Sequence, residues 1–509
     1  MSRLADTRAL AAIGTRVQDA PVAYARAASN LGTLSDNAPP ARLDLALAFG
    51  RFTLALPRDE RAKVALGWFA LCVAALAASG VLAILLVLSR TPGLARLVPV
   101  ANFFQVALVA HVDLSVLVWF LSFAGMTWSL NSTRRALPLA WTALGLAAAG
   151  AAIIAASPFL GGAPIMANYV PVIDSRTFLV GLALFASGVG LAVGRGLFAS
   201  PLVGMRLDGA GAMRFGLNGS IVAAAVALLA FAWSYLAVPA NLDGKAYYEL
   251  LFWGSGHVLQ FAYTLLMLVA WLILADAIGA RVPLSPRVVA LLFGIGLVAV
   301  FTTPLIYYAY SVTSVEHHRL QTWLMRFGGG LAIAPVAVAV IFALARPRGP
   351  AHRKSEGNAA PLFAALVVSL ALFGIGGIIG FAIRGSNVRI PAHYHGSIVS
   401  VTIALMGLAY WLLPRLGLAA PLARLATWQV YLYGGGQLLH IAGLVWSGGY
   451  GVQRKVADGA EVARSVGELT GMGLMGLGGL IAIIGGMLFV VAVVIAAVRR
   501  PRAVGAVSP

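Results

Sequence analysis

The sequence predicts an all-α, polytopic membrane bundle of twelve transmembrane helices, and three observations predict it. Of 509 residues, 60% are hydrophobic and only 10% are charged, against about 25% charged in a soluble chain. Mean hydropathy is +0.90. Beyond residue 63 the chain breaks into apolar runs of roughly 20 residues or more, the length that crosses a bilayer as a helix. Formal net charge is +19. In a soluble protein that excess would point to nucleic acid. In a membrane chain it reads as basic inner loops, so the expected surroundings are membrane lipid, with no nucleic acid partner.

Taken in order, residues 1–63 read as a polar cytoplasmic tail, in which residues 10–20 permit a short amphipathic helix ending before Pro21. No compact apolar core of a signal peptide is evident there. Residues 64–499 read as one twelve-helix membrane domain. Its spans fall at 65–89, 101–130, 136–157, 176–197, 214–238, 247–277, 287–309, 319–345, 360–383, 393–414, 425–448 and 469–498. Glycine-rich stretches such as Gly374 to Gly380 suit close helix approach. Residues 500–509 form a short tail. With the N-terminus inside, most of the 36 Lys and Arg lie on the inner face, so both termini are expected in the cytoplasm. The single cysteine, Cys72, excludes an internal disulfide, a four-cysteine zinc site and a Cys-x-x-Cys-His haem attachment.

The histidines carry the chemistry. The stretch Ile390-Pro391-Ala392-His393-Tyr394-His395-Gly396 opens the tenth span. On a helix, residues two apart point about 200° apart, so His393 and His395 address two different flanks. His111 lies a third of the way into span 2, His257 a third into span 6, and His317 and His318 at the entrance to span 8. In the predicted topology all six sit in the outer half of the membrane. Polar side chains there are costly and usually functional. His440 is in the outer half too, without a paired partner, and reads as structural. His352 reads as a solvated loop residue.

Twelve spans with this order and spacing of histidines resemble the catalytic subunit I of the haem-copper oxidoreductase superfamily, over residues 60–500. The resemblance implies a respiratory oxidoreductase of the cytochrome c oxidase or nitric oxide reductase type in a bacterial-type cytoplasmic membrane. It implies that His111 and His395 are the axial ligands of a low-spin haem and His393 the single ligand of a high-spin haem. His257, His317 and His318 would hold copper or non-haem iron facing the second haem. Neutral imidazole suits both metals. A five-coordinate haem opposite a metal leaves room for a gas substrate.

Oxidases of this family carry a tyrosine cross-linked to a metal-binding histidine, usually one turn after the span-6 histidine. Here that position is Phe261. In C-type oxidases the tyrosine comes from the end of span 7, which makes Tyr310 a candidate although it is not in register. Tyr307, Tyr308 and Tyr310 also suit an interfacial aromatic belt. Nitric oxide reductases add a span-6 glutamate, absent here, although Gln260 offers an amide oxygen nearby. Glu316 is a candidate partner for His317. Only Asp113, Glu249 and Asp276 fall inside spans, the first two on the outer side. The absence of the span-6 tyrosine and the scarcity of inner carboxylates favour nitric oxide reduced to nitrous oxide. Dioxygen reduced to water is the alternative.

No electron-entry motif is present in the sequence. A small electron-carrier subunit or protein of cytochrome c or copper-domain type, or quinol, is therefore expected as donor. Arg454, in the loop between spans 11 and 12, is a candidate to neutralise haem propionates, with Arg319 and Arg326 as further cations. Tyr394, Trp119 and Trp323 are candidates to pack on haem edges. Outside the family, a twelve-span secondary transporter fits the span count but has no use for six histidines at one depth.

Overall fold

The computed structural model of the protein describes residues 51–90, 103–204, 207–346, 356–383, 387–450 and 465–499. Arg454, His352 and the tail through residue 50 lie outside the described residues. Among the described residues twelve long helices follow one another, one on each predicted span. They are α1 (Glu60–Arg90), α2 (Phe103–Leu130), α3 (Leu137–Ala156), α4 (Arg176–Ala199), α5 (Gly209–Ala237) and α6 (Gly244–Ala277). They continue as α7 (Pro286–Ala309), α8 (Val315–Ala345), α9 (Glu356–Phe381), α10 (Arg389–Leu412), α11 (Ala423–Gly449) and α12 (Val466–Val498).

Among the described residues, eleven helices are long and apolar enough to cross a membrane. The remaining one, α11, has the length but is diluted by Arg424, Gln429, Gln437 and His440. Several starts are fixed by side chains that accept an otherwise orphaned backbone N–H. Ser175 caps α4, Asp208 caps α5 and Ser314 caps α8. Between α3 and α4 stands a short antiparallel hairpin, β1 (Ala163–Ile165) and β2 (Val172–Asp174), with Pro164 opposite Ile173.

The helices are not equally buried. Within their most apolar windows, α2, α6 and α10 are 67%, 78% and 89% buried, against 33–44% for the other eight measured the same way. These three form the middle of the bundle, and α6 touches both α2 and α10. An imidazole on any of them is shielded from lipid, where an unpaired polar group is costly. Exposed Leu229, Leu236, Leu305 and Leu331 on outer helices face the other way, as a lipid-facing surface should.

At the end of α2 remote from His111, a charged rim ties the bundle together. Buried Arg195 donates to the carbonyls of Thr133, Arg135 and Ala136 at 2.8–3.2 Å. Asp59 pairs with Arg61 and Arg134, each at 2.9 Å. Hydrogen bonds from these two guanidinium groups hold the Asp59 carboxyl well below the usual carboxylate range.

Candidate functional site

Close helix crossing builds the first part of the site. At the α9–α10 contact, a Cβ on Gly376 would lie 2.5 Å from the Ser397 nitrogen, so backbone meets backbone there. The approach brings the Gly376 carbonyl to 2.7 Å from Nδ1 of His393. One turn on, a Cβ at Gly380 would lie 2.7 Å from the same ring nitrogen. Glycine at both positions is therefore a steric requirement of the imidazole's position.

His395 faces another neighbour. Its Nδ1 lies 2.9 Å from Oε1 of Gln437 on α11. On α2, Nδ1 of His111 lies 2.9 Å from the Ser79 carbonyl on α1, and the Ser79 hydroxyl donates to the His111 carbonyl at 3.1 Å. An oxygen with no proton to give fixes the tautomer: Nδ1 carries the hydrogen and Nε2 keeps a bare lone pair. A ligating imidazole is ordinarily oriented through its other N–H in this way. His111, His393 and His395 therefore fit iron ligation on donor chemistry. His440, read as structural, lies tilted at 57° to His395 with ring centroids 4.5 Å apart and donates from Nδ1 to the Met475 carbonyl at 2.8 Å.

Directly after His111 the helix widens into a π-turn, Asp113–Val118. Such turns are frequent at functional sites. Asp113 is 1% exposed, and neither carboxyl oxygen has a hydrogen-bond partner.

The α6–α8 group is organised differently. Ser314 caps α8 by accepting from the His317 backbone N–H at 3.2 Å, which puts His317 and His318 in the first turn. His318 Nδ1 lies 3.1 Å from its own Ser314 carbonyl. His317 is buried, and its Nδ1 has no partner. His257 Nδ1 donates to the Trp253 carbonyl at 2.6 Å, and its Nε2 accepts from the Tyr169 hydroxyl at 2.9 Å. The Trp253 ring lies 4.8 Å from the rings of both His257 and His318. Among the described residues no three His, Cys, Asp or Glu side chains converge as a metal cage. As folded, His317 offers a bare nitrogen but His257 does not, so this trio does not yet fit a metal ion.

Other expected residues fall as follows. Gln260 hydrogen-bonds Tyr169. Glu316 is exposed, and the buried His317 Nδ1 donates no hydrogen bond to it. Tyr310 is 40% exposed at the end of α7. Instead Tyr307 packs edge-on to His317 at 4.6 Å, its hydroxyl 2.7 Å from that of Ser234. Trp119 is fully buried against Phe123 and Phe489, whereas Trp323 and Tyr394 are partly exposed. A groove of about 290 Å³ runs beside His318, lined by Val315, Arg319, Thr322 and Trp323. There the Arg319 guanidinium stands 4.5 Å over the Trp323 ring. Tyr169 escaped sequence reasoning because it sits in a loop, where no helical periodicity marks it.

A family model described as "Cytochrome C and Quinol oxidase polypeptide I" matches residues 63–488. An uncharacterized protein of Rickettsia prowazekii (strain Madrid E) is 29% identical over 502 residues, covering 85% of this chain and 96% of that one. Another uncharacterized protein, of Aquifex aeolicus (strain VF5), is 28% identical over 355 residues, covering 69% and 84%. The fold matches a haem-copper terminal oxidase solved as a dimer by cryo-electron microscopy, with TM-score 0.64 and 16% identity over 88% of this chain and 85% of that one.

Proposed function

This chain belongs to the cytochrome c and quinol oxidase polypeptide I family, and on that premise we propose that it is the catalytic subunit of a haem-copper superfamily respiratory reductase. In this reading it spans a bacterial-type cytoplasmic membrane with both termini inside. His111 and His395 hold a low-spin haem and His393 a high-spin haem. The resemblance assigns His257, His317 and His318 to copper or non-haem iron, a group that the contacts of His257 do not fit. Electrons arrive from a small electron-carrier subunit or protein of cytochrome c or copper-domain type, or from quinol. Arg454 neutralises haem propionates.

One observation carries the reading. His111, His393 and His395, on the buried helices α2 and α10, each have Nδ1 tied to an oxygen of a neighbouring helix and Nε2 bare. When bound, the haems supply one-electron transfer and an open iron position for a gas. The chain's own part is to hold and orient. Ser79, Gly376 and Gln437 fix the rings and raise their basicity. The apolar surfaces of α2, α6 and α10 keep water away, which strengthens every polar contact inside.

We read the gas as nitric oxide: two molecules, two protons and two electrons give nitrous oxide and water. The support is Phe261 in place of a tyrosine one turn after His257, and the few carboxylates of the described spans, with Asp113 and Glu249 in outer halves. One observation favours dioxygen instead: a tyrosine hydroxyl, that of Tyr169, lies 2.9 Å from Nε2 of His257, although it comes from neither span 6 nor span 7. Turnover of the purified protein with one artificial donor separates the two. Anaerobic consumption of nitric oxide with release of nitrous oxide is expected. Fast dioxygen consumption without nitric oxide turnover would overturn the assignment of the gas.

A further inference from the structure

At the end of the bundle remote from the histidines, the chain enters α1 through an extended segment, residues 51–58. Its apolar side chains alternate at the two-residue period of extended chain. Phe52 is 1% and Leu54 8% exposed, whereas Thr53 and Ala55 are exposed. Both buried side chains join the apolar cluster that contains Trp68 of α1, Met213 of α5 and Ile278 just past α6. Their seat is built. A Cβ on Gly209, the first residue of α5, would fall on the Arg51 carbonyl, so only glycine admits the segment there. The Asp276 carboxyl, in the last turn of α6, takes a hydrogen bond from the Phe52 backbone N–H. At its other end the segment runs into Asp59, which Arg61 and Arg134 pin. The Arg61 guanidinium also donates to the Ser132 carbonyl. Eight extended residues reach at most about 28 Å, enough to run from the α5–α6 end to the α1–α2 rim.

Between these pins no backbone–backbone hydrogen bond ties residues 51–58 to another described residue. Two apolar side chains and one contact to a carboxyl hold the segment down. It can therefore lift without breaking a helix, as low-stability units of a fold do. We propose that residues 51–58 form a strap that closes the far end of α6 to water, with Asp276 as its latch. Seated, the strap bridges the first turn of α5 and the last turn of α6. Asp276 is one of two acids on α6, and the other, Glu249, stands near the opposite end. Lifted, the strap bares the Asp276 carboxyl and the seat of Phe52. Arg51, whose charge acts on that carboxyl, leaves with it. Such a gate is independent of what the histidines hold.

Thiol labelling of the full chain tests the latch. The single native cysteine, Cys72, is wholly buried on α1 and serves as the internal reference. A water-soluble maleimide is added to Leu54→Cys and, separately, to Thr53→Cys, and labelling is followed by mass spectrometry. Leu54→Cys should react about tenfold more slowly than its exposed neighbour. Adding Asp276→Leu leaves the Phe52 N–H without an acceptor. It should speed labelling of Leu54→Cys about tenfold, the worth of one buried donor left unpaired, and leave Thr53→Cys unchanged. Asp276→Asn, which keeps an acceptor oxygen, should change the rate less. If Leu54→Cys fails to fold, amide hydrogen exchange of residues 49–58, compared between the native chain and Asp276→Leu, decides the matter: faster exchange in Asp276→Leu is expected. Equal labelling of Leu54→Cys and Thr53→Cys would show that the strap is not seated. Rates indifferent to Asp276→Leu, or Cys72 becoming reactive together with Leu54→Cys, would overturn the latch.

Discussion

On α2 and α10, the anchors of the imidazoles come from other helices: Ser79 on α1, Gly376 on α9 and Gln437 on α11. On α6 and α8, the Trp253 carbonyl holds His257 and the Ser314 carbonyl holds His318, each from the ring's own helix turn, but His257 is also held by the Tyr169 hydroxyl of the hairpin and His317 by the Tyr310 backbone at the end of α7, its Nδ1 having no partner. A ring anchored across a helix contact is held by the packing of the bundle. A ring anchored to its own turn moves with that turn and takes its final direction from whatever binds it. The first trio is held wholly by helix contacts, and the second partly by its own turns and partly by the hairpin and the end of α7.

Substitutions separate the two groups, and the largest effect is expected from the histidines themselves. His111→Ala and His393→Ala should each lose one haem per chain and drop gas turnover to background. His317→Ala should keep both haems and lose only the second metal. Haem and metal counts per chain read all three. Loss of both haems in His317→Ala would erase the distinction between the groups.

Gly380→Ala comes next. The added methyl overlaps the His393 ring, an overpacking that costs about 1–3 kcal/mol and should lower occupancy of the His393 haem. Gly374→Ala, where a Cβ meets nothing within 4 Å, is the control and should match wild type. Equal haem content in both variants would show that the ring is not held by the α9–α10 crossing.

Gln437→Leu is gentler. It removes only the hydrogen bond to His395, so low-spin haem affinity should fall by about tenfold with a shifted reduction potential, and the His393 haem should be untouched. A potentiometric titration of the two haems reads this directly.

The smallest effect lies at the charged rim, remote from the histidines. Asp59 has its folded pKa depressed by Arg61 and Arg134. Its contribution to stability is therefore fully present above the unfolded carboxylate value of about 4 and is lost as pH falls through the folded value. Thermal unfolding of wild type and Asp59→Asn should differ at pH 5–7 and converge at acid pH. The haem spectrum should be the same in both at neutral pH.

Much of this was legible in the sequence for definite reasons. Span length and polarity are local properties, so every long helix falls where hydropathy puts it. The two-residue spacing of His393 and His395 fixes their divergence before any neighbour is known. What was not legible depends on contacts between distant segments. Tyr169 arrives from a loop. The ring contact of His440 is with His395 on another helix, which spacing along one helix does not reveal. Tyr310 was favoured by its place in the chain, but α7 ends at Ala309 and its extended cap turns Tyr310 outward, leaving Tyr307 against His317. The π-turn at Asp113 is a widening that a regular helical period does not forecast.

The most direct test of the central claim is a combined optical and electron paramagnetic resonance spectrum of the oxidised full-length protein with its haem counted. Two haems per chain, one low-spin with two imidazoles and one high-spin with a single imidazole, are predicted. A chain purified without haem, or with two low-spin haems and no open iron position, would contradict it.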